Sequence, residues 1–431
     1  MSKISGVFAV AFVFIVAACF AGRQAAAEDS NLAARVKSLE ETVTNLRQEL
    51  ARVKGSVSEM EQSPPASEEK LEKWFQKAVE ENAELFKSPK WLKGLKISGD
   101  LRLRYEGRFY KRDEKRERNR GRFRLRVQLE KEISDELLVG FRLASGSSSD
   151  ATSTNQTFTS TFSEKSIWID RAYVIYKPKW LKGLTLGGGK WKNPFVHTDL
   201  VWDSDVNPEG AYESFKYEVC NGFTPFITLG QMMVQENKGA LEDANLMAYQ
   251  AGFDLKLADS VKLTFAGTFY NFLNYEEAGN FPKADGNTSK SGGRLTAEDF
   301  NVLNLTTKVK FKVGRLPFEV YGDYVKNLGE KEVGTGSNED KGLAVGFKIG
   351  KAKKKGTWEV GYKYARIEAN AAPGALNDSD FGHSDTRGHK VGFKYAVHDK
   401  VTFGVTGLFT EPIVADDSPK TTLQVDIVLK F

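Results

Sequence analysis

The chain has 431 residues and a formal net charge of +5. After the amino terminus it contains no run of about 20 apolar residues, which excludes a conventional transmembrane helix. The mean hydropathy of −0.42 does not exclude a membrane protein. In a β-barrel only alternate strand residues face lipid, and polar loops lower the mean.

The amino terminus has the layout of an export signal. A basic start precedes the apolar residues 7–20, and the small residues 25–27 follow. This order is typical of a secretory signal peptide, so we expect residues 1–27 to be removed. The alternative is a lipoprotein signal with a lipidated Cys19. Cleavage after residue 27 leaves Cys220 as the only cysteine, which excludes an internal disulfide.

A heptad pattern follows the signal segment. Between residues 32 and 60 apolar side chains recur with alternating spacings of four and three, as in a coiled coil. Opposite charges flank this seam across a parallel pairing, which favours association of identical copies in register. We therefore expect a coiled-coil arm over residues 28–62, and both two and three strands remain open. A lone amphipathic helix is the alternative. The flanking pairs are Arg35 with Glu40 and Glu49 with Lys54.

A linker over residues 63–94 separates the arm from the rest of the chain. Pro64 and Pro65 end the heptads, since proline disrupts a helix interior. Residues 67–87 then carry one apolar stripe, which predicts an amphipathic helix. Three positions are open for this helix: against a membrane-side rim, within the oligomer, or as a plug.

From residue 95 to the carboxyl terminus the hydrophobic period is two. Residues 97–106 and 122–129 place apolar side chains on one face and arginines on the other. An arginine facing lipid at the bilayer midplane costs roughly 2–4 kcal/mol, so the arginines are expected to face a lumen. The last strand, residues 421–431, ends on an aromatic residue and has the length of one bilayer crossing.

Seven short connections alternate with eight long polar ones between these segments. This count predicts an all-β transmembrane barrel of about 16 antiparallel strands over residues 95–431, preceded by the α-helical coiled-coil arm. Fourteen or eighteen strands also remain open, because residues 212–219 are weakly patterned. The short connections lie near residues 134–135, 178–183, 221–222, 258–260, 314–317, 351–356 and 398–400.

Residues 95–431 resemble the outer-membrane porins, specifically a family with an amino-terminal coiled coil before a sixteen-strand barrel. The segments that carry the resemblance are LKISGDLRLRYEGR, RGRFRLRVQLEKEISDELLVGFRLASG, IWIDRAYVIY, LTLGGGKWKNPF and TLQVDIVLKF. The resemblance implies the outer membrane of a Gram-negative bacterium, with the arm in the periplasm. It also implies a homotrimer, and recognition of the terminal Phe431 by the barrel-assembly machinery.

In such porins the third external loop folds into the pore and faces arginines on the opposite wall. Residues 192–211 occupy that position here. The expected constriction residues are Asp199, Asp203, Asp205 and Glu209, and the expected pore-lining residues are Arg102, Arg104, Arg122, Arg124, Arg126 and Arg142.

The expected function is a passive, water-filled channel for small hydrophilic solutes and ions, because sixteen strands leave room for an aqueous passage. We expect no cofactor, no catalytic residue and no metal, since no histidine has a metal-ligand spacing and no serine has the context of a nucleophile. Two alternatives are a structural anchor that joins the membrane to the cell wall through the coiled coil, and a barrel enzyme.

The charges bear on selectivity and on partners. Six lumen arginines against three or four loop carboxylates favour a weak anion preference. The alternative is a neutral structural lattice in which the arginines pair with Asp100, Glu106, Glu130 and Asp170. Mixed charges over residues 111–116 are expected to contact lipopolysaccharide at the membrane surface. They do not indicate nucleic acid, because the chain is exported.

Overall fold

The computed structural model describes residues 94–431 apart from 113–114, 239–241, 276–283, 290–299 and 330–338. It also describes residues 41, 43–45, 47–48, 51–52 and 77, which are helical. The predicted signal peptide, Cys19, and most of the predicted coiled coil and linker helix lie outside the described residues, and so these stay predictions. Within the described part of the chain, no helix is long and apolar enough to span a bilayer.

Residues 94–431 form a closed antiparallel barrel. Seventeen strands are hydrogen-bonded in one sheet, and β4 is a two-residue strand within a long connection. The other sixteen form the wall, which closes because β1 pairs with both β2 and β17. The sixteen-strand prediction is confirmed. The strands are β1 Leu95–Tyr110, β2 Arg118–Glu132, β3 Leu137–Ser145, β4 Gln156–Thr157, β5 Ile167–Tyr176, β6 Leu184–Lys190, β7 Glu209–Lys216, β8 Phe223–Gln235, β9 Ala244–Ala258, β10 Val261–Leu273, β11 Phe300–Val313, β12 Leu316–Asn327, β13 Lys341–Gly350, β14 Trp358–Ile367, β15 Thr386–His398, β16 Val401–Pro412 and β17 Lys420–Lys430.

The alternating pattern of each strand sets the two faces of the wall. In β1, Leu103 points outward and is 44% exposed, whereas the next residue, Arg104, points inward and is 7% exposed. Successive side chains of a strand project from opposite faces of the sheet, so the orientation of one residue fixes that of every other residue in the strand. Closure gives each of the sixteen strands a hydrogen-bonded neighbour on both sides, as a barrel in hydrocarbon requires.

Two long connections fold into the barrel. We call them loop 3, residues 191–208 between β6 and β7, and loop 7, residues 368–385 between β14 and β15. The apolar core lies inside the wall, where loop 3 packs on strands β9 to β14. The ring of Trp202 from loop 3, for example, lies 5.9 Å from that of Tyr270 in β10. The lumen is therefore narrowed by packed loops.

Candidate functional site

The first half of loop 3 is fixed to inward-facing residues of β9, β11 and β12. Gln250 donates a 2.9 Å hydrogen bond to the carbonyl of Val196 and accepts another of 2.9 Å from its backbone nitrogen. The ammonium of Lys308 donates to the carbonyl of His197 at 2.8 Å. Burial lowers the pKa of the His197 ring, which disfavours its charged form. Loop 3 therefore lies within the lumen.

The second half of loop 3 reaches the opposite wall. A guanidinium nitrogen of Arg126 lies 3.3 Å from a carboxylate oxygen of Asp205. The hydroxyl of Thr154, in the connection between β3 and β5, donates to the other oxygen at 3.1 Å. Asn207 donates at 2.9 Å to Asp170 of β5. The loop thus bridges the lumen from one wall to the other.

Loop 7 is the second inward segment, and the sequence reasoning missed it. Asp378 accepts hydrogen bonds from Lys363 at 3.3 Å and from Lys390 at 3.0 Å. The backbone nitrogen of Asp203 in loop 3 donates to the carbonyl of Leu376 at 2.7 Å, so the two loops are joined. A signal was present in the sequence, because three of the four residues 369–372 are alanine and such a run is unusual in a solvated loop. All three alanines are buried.

The arginines of β1, β2 and β3 are mostly paired with carboxylates. Arg124 and Arg126 bind Asp100 at 2.6 and 2.7 Å. Three others also meet acids: Arg122 binds Glu106 at 3.0 Å, Arg142 binds Asp170, and Arg104 binds Asp426 and Asp380 at 2.7 and 3.0 Å. Five of the six expected pore-lining arginines are therefore paired with carboxylates. The wall resembles the alternative lattice, with Asp380 and Asp426 as acids that the sequence did not point to.

The pairing on this wall is incomplete, however. On this side of the lumen there are nine inward arginines and seven carboxylates among the residues that the structure describes. Arg102 binds the amide oxygen of Asn155 at 2.5 Å, and Arg171 binds that of Asn207 at 2.7 Å. Neither forms an ion pair with a carboxylate in the described part of the chain. The arginines are 102, 104, 108, 120, 122, 124, 126, 142 and 171, and the carboxylates are at 100, 106, 130, 170, 205, 380 and 426.

The facing wall is rich in lysine. A cavity of about 310 Å³ lies against loop 3 on strands β11 to β16. Within it Lys363 binds Asp199 of loop 3 at 2.9 Å, and Lys394 binds Glu359 at 2.8 Å. Cations also outnumber anions on this side. The charged lining residues are Lys308, Lys348, Lys363, Lys390, Lys394, Asp199, Glu319 and Glu359.

Three of the four predicted constriction carboxylates lie in the lumen. Asp199 and Asp205 contact cations of opposite walls, and Asp203 lies between them at the contact with loop 7. The position of Glu209 differs from the prediction. Glu209 is the first residue of β7 and lies on the outer face of the wall, where it pairs with Lys190 at 2.6 Å. It points outward because side chains alternate along β7: Tyr212 points inward, so odd-numbered residues point outward.

Asp203 of loop 3 and Asp378 of loop 7 have opposite pKa shifts. Burial raises the pKa of Asp203 to about 8, and the negative charge of Asp378 adds to the rise. Burial alone would also raise the pKa of Asp378, but the charges of Lys390 and Lys363 hold it well below its usual value. The pair therefore carries one negative charge at neutral pH.

The terminal Phe431 lies at the closure of the barrel. Its backbone nitrogen donates to the carbonyl of Gly99 in β1 at 3.1 Å, and its carbonyl accepts from Gly99 at 3.0 Å. Its side chain is 53% exposed. Its predicted role as an assembly signal stays a prediction. Within residues 94–431, as far as they are described, no group of His, Cys, Asp and Glu is suited to hold a metal ion.

The similarities of the chain to known proteins agree with this architecture. The family model described as "Putative porin" matches residues 111–294 and 281–431. The structure of OprB from Pseudomonas putida, at high pH, superposes with a TM-score of 0.53 and 12% identity, covering 81% of this chain and 96% of that one. Salmonella typhi OmpF in complex with daunomycin gives a TM-score of 0.48 and 11% identity over 78% and 97% of the two chains. Among curated proteins no relative matches in sequence. The family model covers well over half of the chain, which therefore belongs to the "Putative porin" family and forms an outer-membrane porin channel.

Proposed function

We propose that this porin is a passive diffusion channel for small hydrophilic solutes, with a weak preference for anions. The excess of guanidinium over carboxylate groups on the β1–β5 wall carries the proposal. Arg102 and Arg171, which bind amide oxygens, leave two positive charges without a carboxylate. Charged walls of this kind bias ion permeation. The preference is weak because most neighbouring charges cancel in pairs.

The lysine-rich wall supports the same direction of selectivity. Lys308 forms a hydrogen bond with a backbone carbonyl and no ion pair with any residue that the structure describes, so its charge adds to the potential of the lumen. A passing anion would meet cations on both sides of loop 3. Loop carboxylates that are already bound to Arg126 and Lys363 cannot produce a strong opposing field.

The test is reconstitution of the purified barrel. In a planar bilayer with a potassium chloride gradient, we expect a reversal potential that reports greater chloride permeability. Liposomes should swell in small neutral sugars, and faster in sugar acids of the same size. Conduction with greater potassium permeability would refute the anion preference alone. A folded, heat-modifiable barrel that conducts nothing would refute the channel.

We also propose a homotrimer in the outer membrane, with the periplasmic arm over residues 28–62 contributing to assembly. The heptads over residues 32–60 and their complementary flanking charges support this assembly. Masses measured in mild detergent, for the full chain and for a deletion of residues 28–62, test it. We expect a trimer for the full chain and a weaker oligomer after deletion. A monomer in both cases would refute the proposal.

The alternative role, an anchor between membrane and cell wall through the same arm, is compatible with a channel. It is tested by sedimentation of the protein with purified peptidoglycan, before and after the deletion. Retention that depends on residues 28–62 would favour it.

A further inference from the structure

The cavity against loop 3 has more positive charge on one side than its carboxylates neutralise. Lys308 of β11 donates to a backbone carbonyl and forms no ion pair with any residue that the structure describes. On the next inward row, Lys310 of β11 and Lys348 of β13 share the single carboxylate of Glu319, at 3.2 and 3.3 Å. Three ammonium groups therefore accompany one carboxylate, which leaves an excess of two positive charges.

Two further lysines of the cavity are neutralised by the inward loops. Lys363 of β14 and Lys390 of β15 are direct cross-strand neighbours, a position in which like charges destabilise a sheet. Asp199 of loop 3 lies 2.9 Å from the ammonium of Lys363, and Asp378 of loop 7 lies 3.0 Å from that of Lys390. These pairs fix one border of the cavity, and its excess of positive charge is therefore on the β11–β13 side.

The floor of the cavity is formed by glycines that the backbone does not require. Gly361 of β14 and Gly392 of β15 are cross-strand partners, with Lys348 and Thr406 at the two ends of their row. Neither glycine has a positive φ. A Cβ atom at either position would meet its nearest neighbours at 3.7 Å, an ordinary van der Waals distance. Larger residues are thus compatible with the fold here, and glycine keeps the space in front of the wall open.

The size and lining of this space suit a short carbon chain with a negative group at each end. The cavity has about 310 Å³, at the lower end of the range for ligand pockets. Tyr321 of β12 lies between Lys308 and Gly346 in one row, and its ring covers the glycine. The ring and the glycine floor offer apolar surface. The ammonium groups lie on strands β11 and β13, whose backbones are about 10 Å apart.

We infer that this space, here called the anion recess and formed by Lys308, Tyr321, Lys348, Gly361 and Gly392, binds small organic dicarboxylates. This inference rests on the proposed channel and gives the class of its preferred solute. One carboxylate binds Lys308 and the other binds Lys348, so the solute neutralises both excess charges while its carbon chain lies on the glycines. The side chain of Lys348 is 52% exposed, which lets the bound solute exchange with water, as conduction requires.

Calorimetric titration of the purified barrel in detergent tests the inference without requiring conduction. Succinate should bind to saturation. Butyrate, which has the same number of carbons and one carboxylate fewer, should bind at least about tenfold more weakly, because it leaves one ammonium group unpaired. Lys308→Met should weaken succinate binding by a similar factor. Lys312→Met is the matched control, since it removes the same charge from the same strand, four residues farther along and outside the anion recess.

A second variant fills the anion recess and leaves every charge in place. Gly392→Leu should weaken succinate binding at least about tenfold, because the leucine side chain would occupy the floor. Gly322→Leu on the outer face of β12 is its control and should bind as the unmodified barrel does. Heat-modifiable mobility on gels shows that each variant is folded.

Three results would overturn the inference: no succinate binding by the unmodified barrel, unchanged binding in both Lys308→Met and Gly392→Leu, or equally strong binding of butyrate or inorganic phosphate. A barrel that conducts ions but does not bind succinate would contradict this inference and leave the channel standing. A barrel that binds succinate but conducts nothing would contradict the channel and leave the anion recess standing.

Discussion

The aromatic ring of Phe431 occupies the space above Gly99, and the two residues exchange both backbone hydrogen bonds, at 3.0 and 3.1 Å. A Cβ atom at position 99 would lie 2.4 Å from the ring and 2.4 Å from the carbonyl oxygen of Arg126. The first and last strands of the barrel therefore meet at a position that admits only glycine. The carboxyl-terminal residue is part of the seam that closes the wall.

Gly99→Ala is expected to destabilise closure. The ring can move, but the Arg126 carbonyl belongs to the β1–β2 ladder and cannot, so the cost is that of overpacking, about 1–3 kcal/mol. The folded fraction on unheated gels and the urea midpoint of unfolding measure it. Gly322→Ala is the control, since nothing lies within 4 Å of a Cβ there. Equal midpoints for both variants would contradict the prediction.

Replacing Arg122, Arg124 and Arg126 together by serine should reverse the selectivity. The wall would lose three positive charges from an excess of two, and the carboxylates of Asp100 and Glu106 would lose partners. The reversal potential in a potassium chloride gradient should therefore change from anion to cation preference. The same three positions changed to lysine should keep the original sign. Selectivity that does not change in a folded triple-serine barrel would show that these arginines are only structural.

Asp378→Asn should loosen loop 7. The change removes a buried charge from between Lys363 and Lys390 but keeps an oxygen for the hydrogen bond from the backbone of Phe381. Breaking a buried ion pair costs at most about 3–5 kcal/mol, and less here because Asp199 still neutralises part of the lysine charge.

Limited digestion with a non-specific protease, mapped by mass spectrometry, should show faster cleavage within residues 368–385. Asp259→Asn is the control: it removes an exposed ion pair with Lys256, and such pairs contribute about 0–1 kcal/mol. Unchanged protection of loop 7 in Asp378→Asn would contradict the prediction.

Selectivity should depend on pH through Asp203. Its pKa of about 8 is raised above that of an ordinary aspartate, so the group is neutral at pH 6 and negative at pH 9.5. Raising the pH therefore adds one negative charge at the contact of loops 3 and 7 and shifts the reversal potential toward cations. Asp203→Asn should remove this shift. An equal shift in the asparagine variant would assign the titration to another group.

The sequence by itself determined the wall. Alternation of apolar and polar residues is a local property of each strand, and the lengths of the connections give the number of crossings, so a barrel of about sixteen strands with inward arginines follows without tertiary information. The inward course of loop 3 followed from the resemblance to porins, and the structure places Asp199, Asp203 and Asp205 within the lumen.

Only the tertiary structure decided how the charges pair. Arg104 and Asp426 are 322 residues apart, and Lys363 and Asp199 are 164 apart, so no local pattern joins them. The inward course of loop 7 and the outward position of Glu209 depend equally on distant contacts and on where β7 begins. The orientation of each side chain and the number of strands depend on residues that are neighbours in the chain. Which charges in the pore stay without a partner depends on pairs that closure of the barrel brings together.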